Sequence, residues 1–364
     1  EFSFQTESSD SSAPMPATLS PPMTASGAAP EAPASGLAGV VPVPLKELRR
    51  PVEDEMTRFR ERFRESMRSR VGLLDRVTQY TLRRKGKEIR PTLVLLGAEM
   101  CGGVRDSSYT AAALVELLHT ATLVHDDVVD DADTRRGAFT LHKVWMNKVA
   151  VLFGDYLLSR GLLLALDRKE YELLHIVSDA VRRMSEGELL QIETARKLDI
   201  TEETYFRIIG DKTGSLIAAC LAAGAHSAGA TDDEVAQARQ IGETLGLAFQ
   251  IRDDLFDYDA ADTGKPVGLD LQDRKMTLPL IAALDLAPEA DAKRIMRIVR
   301  KRKKSPAKVR EVVEWVHASG GVDAARETME RLAAEAADGL RTFSPSPARD
   351  ALVGLCAYVV ARKV

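Results

Sequence analysis

From Pro44 onward, apolar side chains recur every three or four residues. Val52, Met56, Phe59, Phe63 and Met67 paint one stripe along a helix, and a stripe of that kind is stable only when another element covers it. The same period predicts helices over Thr92–Met100, Tyr109–Asp130, Lys143–Leu166, Tyr171–Ala195, Glu202–Ala225, Asp232–Tyr258, Leu278–Leu284, Ala307–Ala318 and Val322–Leu340. Strand alternation is sustained nowhere. The breaks carry helix punctuation: Thr201 before Glu202 and Glu203, Thr231 before Asp232, Asp233 and Glu234, and the glycine pairs Gly102-Gly103 and Gly320-Gly321. The expected fold is all-α, a single large helical bundle around a central cavity over residues 45–364, with no internal repeat and no second domain.

The segment 1–44 breaks this pattern. It is rich in Ala, Pro, Ser and Thr and nearly free of large apolar side chains, so it cannot offset its ordering entropy and is expected to be a disordered leader. Its first 40 residues hold Glu7 and Asp10 but no Arg and no hydrophobic stretch, which fits neither a transit peptide nor a signal peptide.

Composition narrows the partners. With 50 basic against 54 acidic residues there is no global footprint for nucleic acid or anionic lipid. The run Arg300-Lys301-Arg302-Lys303-Lys304 reads as a solvated helix end. Cys101, Cys220 and Cys356 lack zinc or redox spacing and read as packing residues with reduced thiols, which implies a cytoplasmic location. No uninterrupted apolar run reaches the roughly 20 residues of a bilayer span, Leu216 to Ala225 being the longest obvious one, so no transmembrane segment is expected.

The informative chemistry is acidic. Asp126-Asp127-Val-Val-Asp130-Asp131 and Asp253-Asp254-Leu-Phe-Asp257 are both DDxxD patterns inside apolar helical segments. Helical spacing puts Asp126 with Asp130, and Asp253 with Asp257, on one face one turn apart. If buried, such pairs demand metal or basic partners. Hard oxygen ligands suit Mg²⁺, which is commonly held by one or two carboxylates plus substrate phosphates. A solvated acidic face would explain either cluster alone, but two matching clusters in apolar surroundings are harder to explain that way. Cationic groups accompany them: Lys87 and Arg90 in Gly86-Lys87-Glu88-Ile89-Arg90-Pro91, Arg135 and Arg136 after the first cluster, and Lys212, Lys265 and Lys275 around the second.

The segments GKEIRP, LLHTATLVHDDVVDDADTRRG, GDYLL, KTGSL, FQIRDDLFDY, GKPVGLDL and KMTLPL resemble the trans-isoprenyl (polyprenyl) diphosphate synthases, in family order, from about residue 45 to the C-terminus. The resemblance implies a prenyltransferase that joins isopentenyl diphosphate head to tail to an allylic diphosphate, with three Mg²⁺ ions held by Asp126, Asp127, Asp130, Asp253, Asp254 and Asp257. It implies that Lys212, Lys265 and Arg135 hold the allylic diphosphate, that Thr213 and Gln250 place oxygen dipoles near the cation formed on ionisation, and that Lys87, Arg90, Arg136 and His119 hold isopentenyl diphosphate. His119 lies seven residues before Asp126 and therefore on nearly the same face, whereas His125 reads as structural. Relatives are homodimers, so a homodimer is expected.

Product length follows from what stands before the first cluster. Ala121 and Thr122 are small, which leaves a path for a chain longer than farnesyl, with Leu158 and Leu162 as candidate floor residues. The expectation is a medium- or long-chain polyprenyl diphosphate. A geranylgeranyl or farnesyl product and a non-catalytic partner subunit are the alternatives, the last disfavoured because both aspartate motifs are intact.

Overall fold

The helix starts legible in the sequence are used as capping groups. Thr231 Oγ1 accepts from the Glu234 N–H at 3.3 Å while Glu234 Oε2 accepts from the Thr231 N–H at 2.8 Å, a reciprocal box that satisfies two otherwise orphaned donors. Thr201, Ser305 and Ser346 cap three further helices through their hydroxyls, the last two with proline in the first turn.

A computed structural model describes residues 35–362 except 41, 43–44, 84–85, 136, 199 and 260–266. Most of the segment read as a leader, residues 1–34, thus lies outside the described residues. Its end is ordered: Ser35–Leu37 forms a 3₁₀ turn in which the Gly36 carbonyl accepts from Arg341, and Leu37 and Val40 pack on the core.

Short helices α1 (Leu45–Leu48), α2 (Glu53–Ser66) and α3 (Gly72–Arg83) lead into α4 (Ile89–Met100) and α5 (Asp106–Val129). A two-residue antiparallel hairpin, β1 (Thr134–Arg135) with β2 (Ala138–Phe139), precedes α6 (Leu141–Asp167) and α7 (Tyr171–Lys197). Next come α8 (Glu202–Ile209), a π-turn (Gly210–Gly214), α9 (Ser215–Ala228) and α10 (Asp232–Phe256). The chain ends in α11 (Leu269–Gln272), α12 (Leu278–Leu286), α13 (Glu289–Val299), α14 (Pro306–Ala318), α15 (Gly321–Arg341) and α16 (Pro347–Ala361). Residues from Pro33 onward form one compact unit.

Helix α9 is apolar all round, as a helix at the centre of a bundle must be, and it packs on α4, α5, α7 and α10. Its small residues allow close approach. A Cβ on Gly224 would stand 2.3 Å from the Val94 carbonyl oxygen, and one on Gly242 would stand 2.7 Å from the Ala218 Cα. The sequence reading passed over α3, α13 and α16, although Ile295, Ile298 and Val299 of α13 are buried at helical spacing; only α16 is apolar on too many faces to show a clear stripe.

The expectation of no membrane-length apolar segment needs correction. Two helical stretches, Leu141–Asp167 and Glu202–Ala228, are long and apolar enough by length and composition to cross a membrane. Isolated charges such as Asp155 and Arg160 interrupt the runs without lowering the mean hydropathy enough. The second stretch is mostly buried in the core, whereas α6, which is broken at Met146 (φ +70°), turns many apolar side chains outward.

Candidate active site

Each aspartate motif ends a long helix: Asp126 to Asp130 close α5, and Asp253 to Asp257 close α10. Burial falls on the middle residue of each motif. Asp127 and Asp254 are buried, Asp126 and Asp130 are exposed, and Asp253 and Asp257 are half-buried. The roughly 100° turn per residue rotates the second aspartate of each motif toward the core and leaves the i, i+4 pair nearer the rim.

The buried carboxylates have partners. Arg135 returns on the hairpin and donates from Nε to Asp127 Oδ1 at 2.6 Å. Asp254 accepts from the Tyr205 hydroxyl at 2.7 Å and from Gln250 Nε2 at 2.9 Å, and Gln250 Oε1 in turn accepts from the Thr213 hydroxyl at 2.7 Å. Asp257 accepts from the backbone N–H groups of Leu269 and Asp270 at 2.8 and 3.0 Å. Asp253 pairs with Arg362, whose guanidinium also lies 4.6 Å from the Phe249 ring centroid. Lys212 Nζ lies 2.5 Å from Glu188 Oε2 and donates to Gln191 Oε1 at 2.7 Å.

The balance of charge is unfavourable to these carboxylates. Burial pushes Asp254 up to about 7, against the pull of the Tyr205 and Gln250 hydrogen bonds, and burial with the Asp270 charge pushes Asp257 up to about 6. Asp126, exposed at the rim but partly desolvated there, is raised by that desolvation and by Glu188 and Asp130, opposed by Arg135 and Lys212. Asp253 is raised by burial, opposed by Arg362 and Lys87. Lys212 and Glu188 therefore stand within electrostatic reach of the first motif, and Lys87 within reach of the second.

A stability prediction follows. Because Asp254 and Asp257 sit above the ordinary 3.8, the native chain binds more protons than the unfolded one between about pH 4 and about pH 7. Their contribution is fully present below that window and is lost as pH rises through it. In EDTA, melting temperature measured from about pH 5 to about pH 8 should fall more steeply in wild type than in Asp254→Asn. Parallel profiles would contradict the assignment.

Among the described residues no three His, Cys, Asp or Glu side chains converge into a ready-made cage. The donor set still fits Mg²⁺, which is commonly held by one or two carboxylates and completed by phosphate oxygens and water. Four of the six motif carboxyls are raised, with desolvation the largest cause in each.

A cavity of about 110 Å³ lies on the second-motif side, lined by Gln191, Tyr205, Lys212, Gln250, Asp254, Asp270 and Lys275 among others. Lys275 Nζ is 3.6 Å from Asp270 Oδ1. Lys87 is exposed and Arg90 half-buried at the start of α4, and His119 is 7% exposed within α5. Arg136 and Lys265 lie outside the described residues. His125 packs against Gly154, and its Nε2 lies 3.3 Å from the Val151 carbonyl. Ala121 is fully buried and Thr122 half-buried. Leu158 packs on the core, but Leu162 is 42% exposed on α6, so Leu162 is not an interior floor residue.

Sequence reading missed Tyr205, Gln191, Glu188, Asp270 and Arg362. Asp270 lies within the GLDL segment that carried part of the resemblance. The others carry no local signal, because a tyrosine on an apolar helix face or an arginine near the C-terminus becomes informative only through its partner.

A family model described as Polyprenyl synthetase matches residues 71–316. The octaprenyl diphosphate synthase of Escherichia coli (strain K12) is 36% identical over 300 residues, covering 82% of this chain and 93% of the relative. A crystal structure of a decaprenyl diphosphate synthase from Rhodobacter capsulatus superposes with TM-score 0.82 at 35% identity, covering 88% of this chain and 100% of that one. A polyprenyl synthase from Caulobacter crescentus CB15, complexed with calcium and isoprenyl diphosphate, gives TM-score 0.79 at 33% identity over 88% of this chain and 98% of that one.

Proposed function

This chain belongs to the polyprenyl synthetase family, and from that premise we propose that it is a prenyltransferase joining isopentenyl diphosphate head to tail to an allylic diphosphate, giving a medium- or long-chain polyprenyl diphosphate. Residues 45–364 are taken as the catalytic domain and the cytoplasm as its location, in keeping with three free cysteines. The observation that carries the reading is the hydrogen-bonded series Thr213, Gln250, Asp254, of which Gln250 and Asp254 line with Lys212 the cavity beside the second aspartate motif.

Asp126, Asp127 and Asp130 on α5 and Asp253, Asp254 and Asp257 on α10 would hold Mg²⁺, three ions by the resemblance. Bound there, the metal supplies Lewis-acid charge that neutralises the departing diphosphate. The Caulobacter relative holds a divalent cation and an isoprenyl diphosphate together, which supports this pairing. Lys212 exchanges its contacts with Glu188 and Gln191 for diphosphate oxygens, and Arg135 and, by the resemblance, Lys265 bind the same diphosphate. Thr213 and Gln250 present oxygen dipoles to the positive charge that develops on the allylic carbon, without reorganising at that moment. Lys87, Arg90, Arg136 and His119 hold the second diphosphate, whose double bond attacks. The proton lost from the condensed chain passes to the released diphosphate. The apolar interior keeps water from quenching the cation.

The test is incubation with labelled isopentenyl diphosphate, Mg²⁺ and each of the dimethylallyl, geranyl, farnesyl and geranylgeranyl primers, followed by sizing of the products. A ladder ending beyond C20 supports the reading. An end at C15 or C20 favours the short-chain alternative, and no turnover with any primer favours the partner-subunit alternative.

A homodimer is proposed on a separate observation. Val144, Met146, Leu152, Leu162, Leu163 and Leu166 on α6 are each more than 40% exposed, a run of apolar surface that a second copy would cover. Sedimentation should give the mass of a dimer at micromolar concentration, and Leu152→Glu should shift it toward monomer. A monomeric wild type would remove this proposal.

A further inference from the structure

Lys212 and Thr213 do not sit on an ordinary helix. Gly210–Gly214 winds as a single π-turn between α8 and α9, closed by the Ser215 N–H bonding back to the Gly210 carbonyl. Such turns are rare, gather at functional sites, and persist where tertiary contacts hold them.

Two kinds of contact hold this one. The first is backbone proximity at glycines: a Cβ on Gly187 of α7 would meet Asp211 Cβ at 2.9 Å and the Lys212 nitrogen at 3.0 Å, and one on Gly246 of α10 would meet Gly214 Cα at 2.6 Å. The second is ionic. Arg183, one turn before Gly187, donates from Nε to Asp211 Oδ1 at 2.8 Å and from Nη2 to Glu243 Oε1 at 2.5 Å. Glu243 lies three residues before Gly246, so one guanidinium ties α7, the π-turn and α10 together at the point where they touch. All three side chains are largely shielded, with 23%, 17% and 26% exposure for Arg183, Asp211 and Glu243. None of them lines the cavity shared by Lys212, Gln250 and Asp254.

A shielded ion pair is weak as a source of stability, since desolvation cancels much of its attraction, and its better attested use is to fix one arrangement among several. Here the competing arrangement is plain α-helical winding through 210–214. Losing the extra residue of the π-turn shifts the register by one position, about 100° around the axis. That rotation would carry Lys212 away from Glu188 and Gln191, and Thr213 away from Gln250.

We infer that Arg183, acting through Asp211 and Glu243, is a positioning residue that locks the π-turn so that Lys212 and Thr213 face the allylic diphosphate. The inference rests on the proposed function, because it takes the Lys212 site to be the allylic one.

The test is steady-state kinetics of Arg183→Met and Arg183→Lys in the full-length chain, with melting temperature measured alongside. In Arg183→Met, KM for the allylic diphosphate should rise by about tenfold while KM for isopentenyl diphosphate stays within about twofold, at nearly unchanged melting temperature. Arg183→Lys should recover part of the allylic KM, since an ammonium can reach one of the two carboxylates. Should Arg183→Met fail to fold, Glu243→Gln, which keeps the shape and removes the charge, carries the same comparison of KM values. An unchanged allylic KM in a folded variant overturns the inference, as does a parallel change in both KM values with a falling melting temperature. Wild-type turnover separates the two levels. If wild type extends no primer, the proposed function fails, whereas an active wild type with an indifferent Arg183→Met rejects the positioning role alone.

Discussion

Replacing Asp126 by Ala should lower turnover of isopentenyl diphosphate at saturating Mg²⁺ by about three orders of magnitude, the factor given by about 4 kcal/mol of lost transition-state stabilisation. Asp126 is exposed at the end of α5, so its removal leaves no cavity and should move stability by no more than about 0.5 kcal/mol. The loss therefore reads chemistry rather than folding, and an unchanged circular dichroism melt is the control. Asp254→Ala makes the contrast. It should abolish turnover as well, but it strands the buried Tyr205 hydroxyl and one amide donor of Gln250, at a stability cost of about 1–3 kcal/mol. Turnover of Asp126→Ala within tenfold of wild type would mean that this carboxylate holds neither cation nor diphosphate, and the reading of the first motif would have to be withdrawn.

Ala121→Phe should shorten the product. Ala121 lies five residues before Asp126, fully buried on the face of α5 that also buries Leu117, Leu118 and Val124. A growing chain that enters between the motifs and runs along α5 meets this position after about 7.5 Å, roughly one and a half turns. Two outcomes are possible, and stability separates them. If the side chain faces a channel, phenylalanine fills space and the product ends early with little change in melting temperature. If Ala121 only lets helices approach, phenylalanine overpacks the core at about 1–3 kcal/mol, and product length stays as it was. Chromatographic sizing and a thermal melt on one sample decide between them, and unchanged length with a depressed melt removes the small-residue argument for a long product.

What the sequence settled was whatever repeats within one turn of chain or within one capping box. The stripes placed the principal helices to within a few residues, and Thr201 and Thr231 marked starts that the structure uses. The spacing of the aspartates was enough to identify two acid-bearing helix ends, because carboxylates inside apolar helices are improbable without a task. The outward apolar side of α6 was not legible, since a helix that is apolar on most faces shows no stripe by which to tell core from surface. Which aspartate of each motif is buried was also undecided, for that depends on how α5 and α10 are rotated by their neighbours. Only tertiary structure could bring Tyr205 to Asp254, Arg135 to Asp127, Arg362 to Asp253 and Arg183 to Asp211 and Glu243. Apart from Arg135 and Asp127, these partners lie 28 to 109 residues apart in the chain. Their pairing is a property of packed helices and of the low dielectric between them, neither of which is written in any local run of residues.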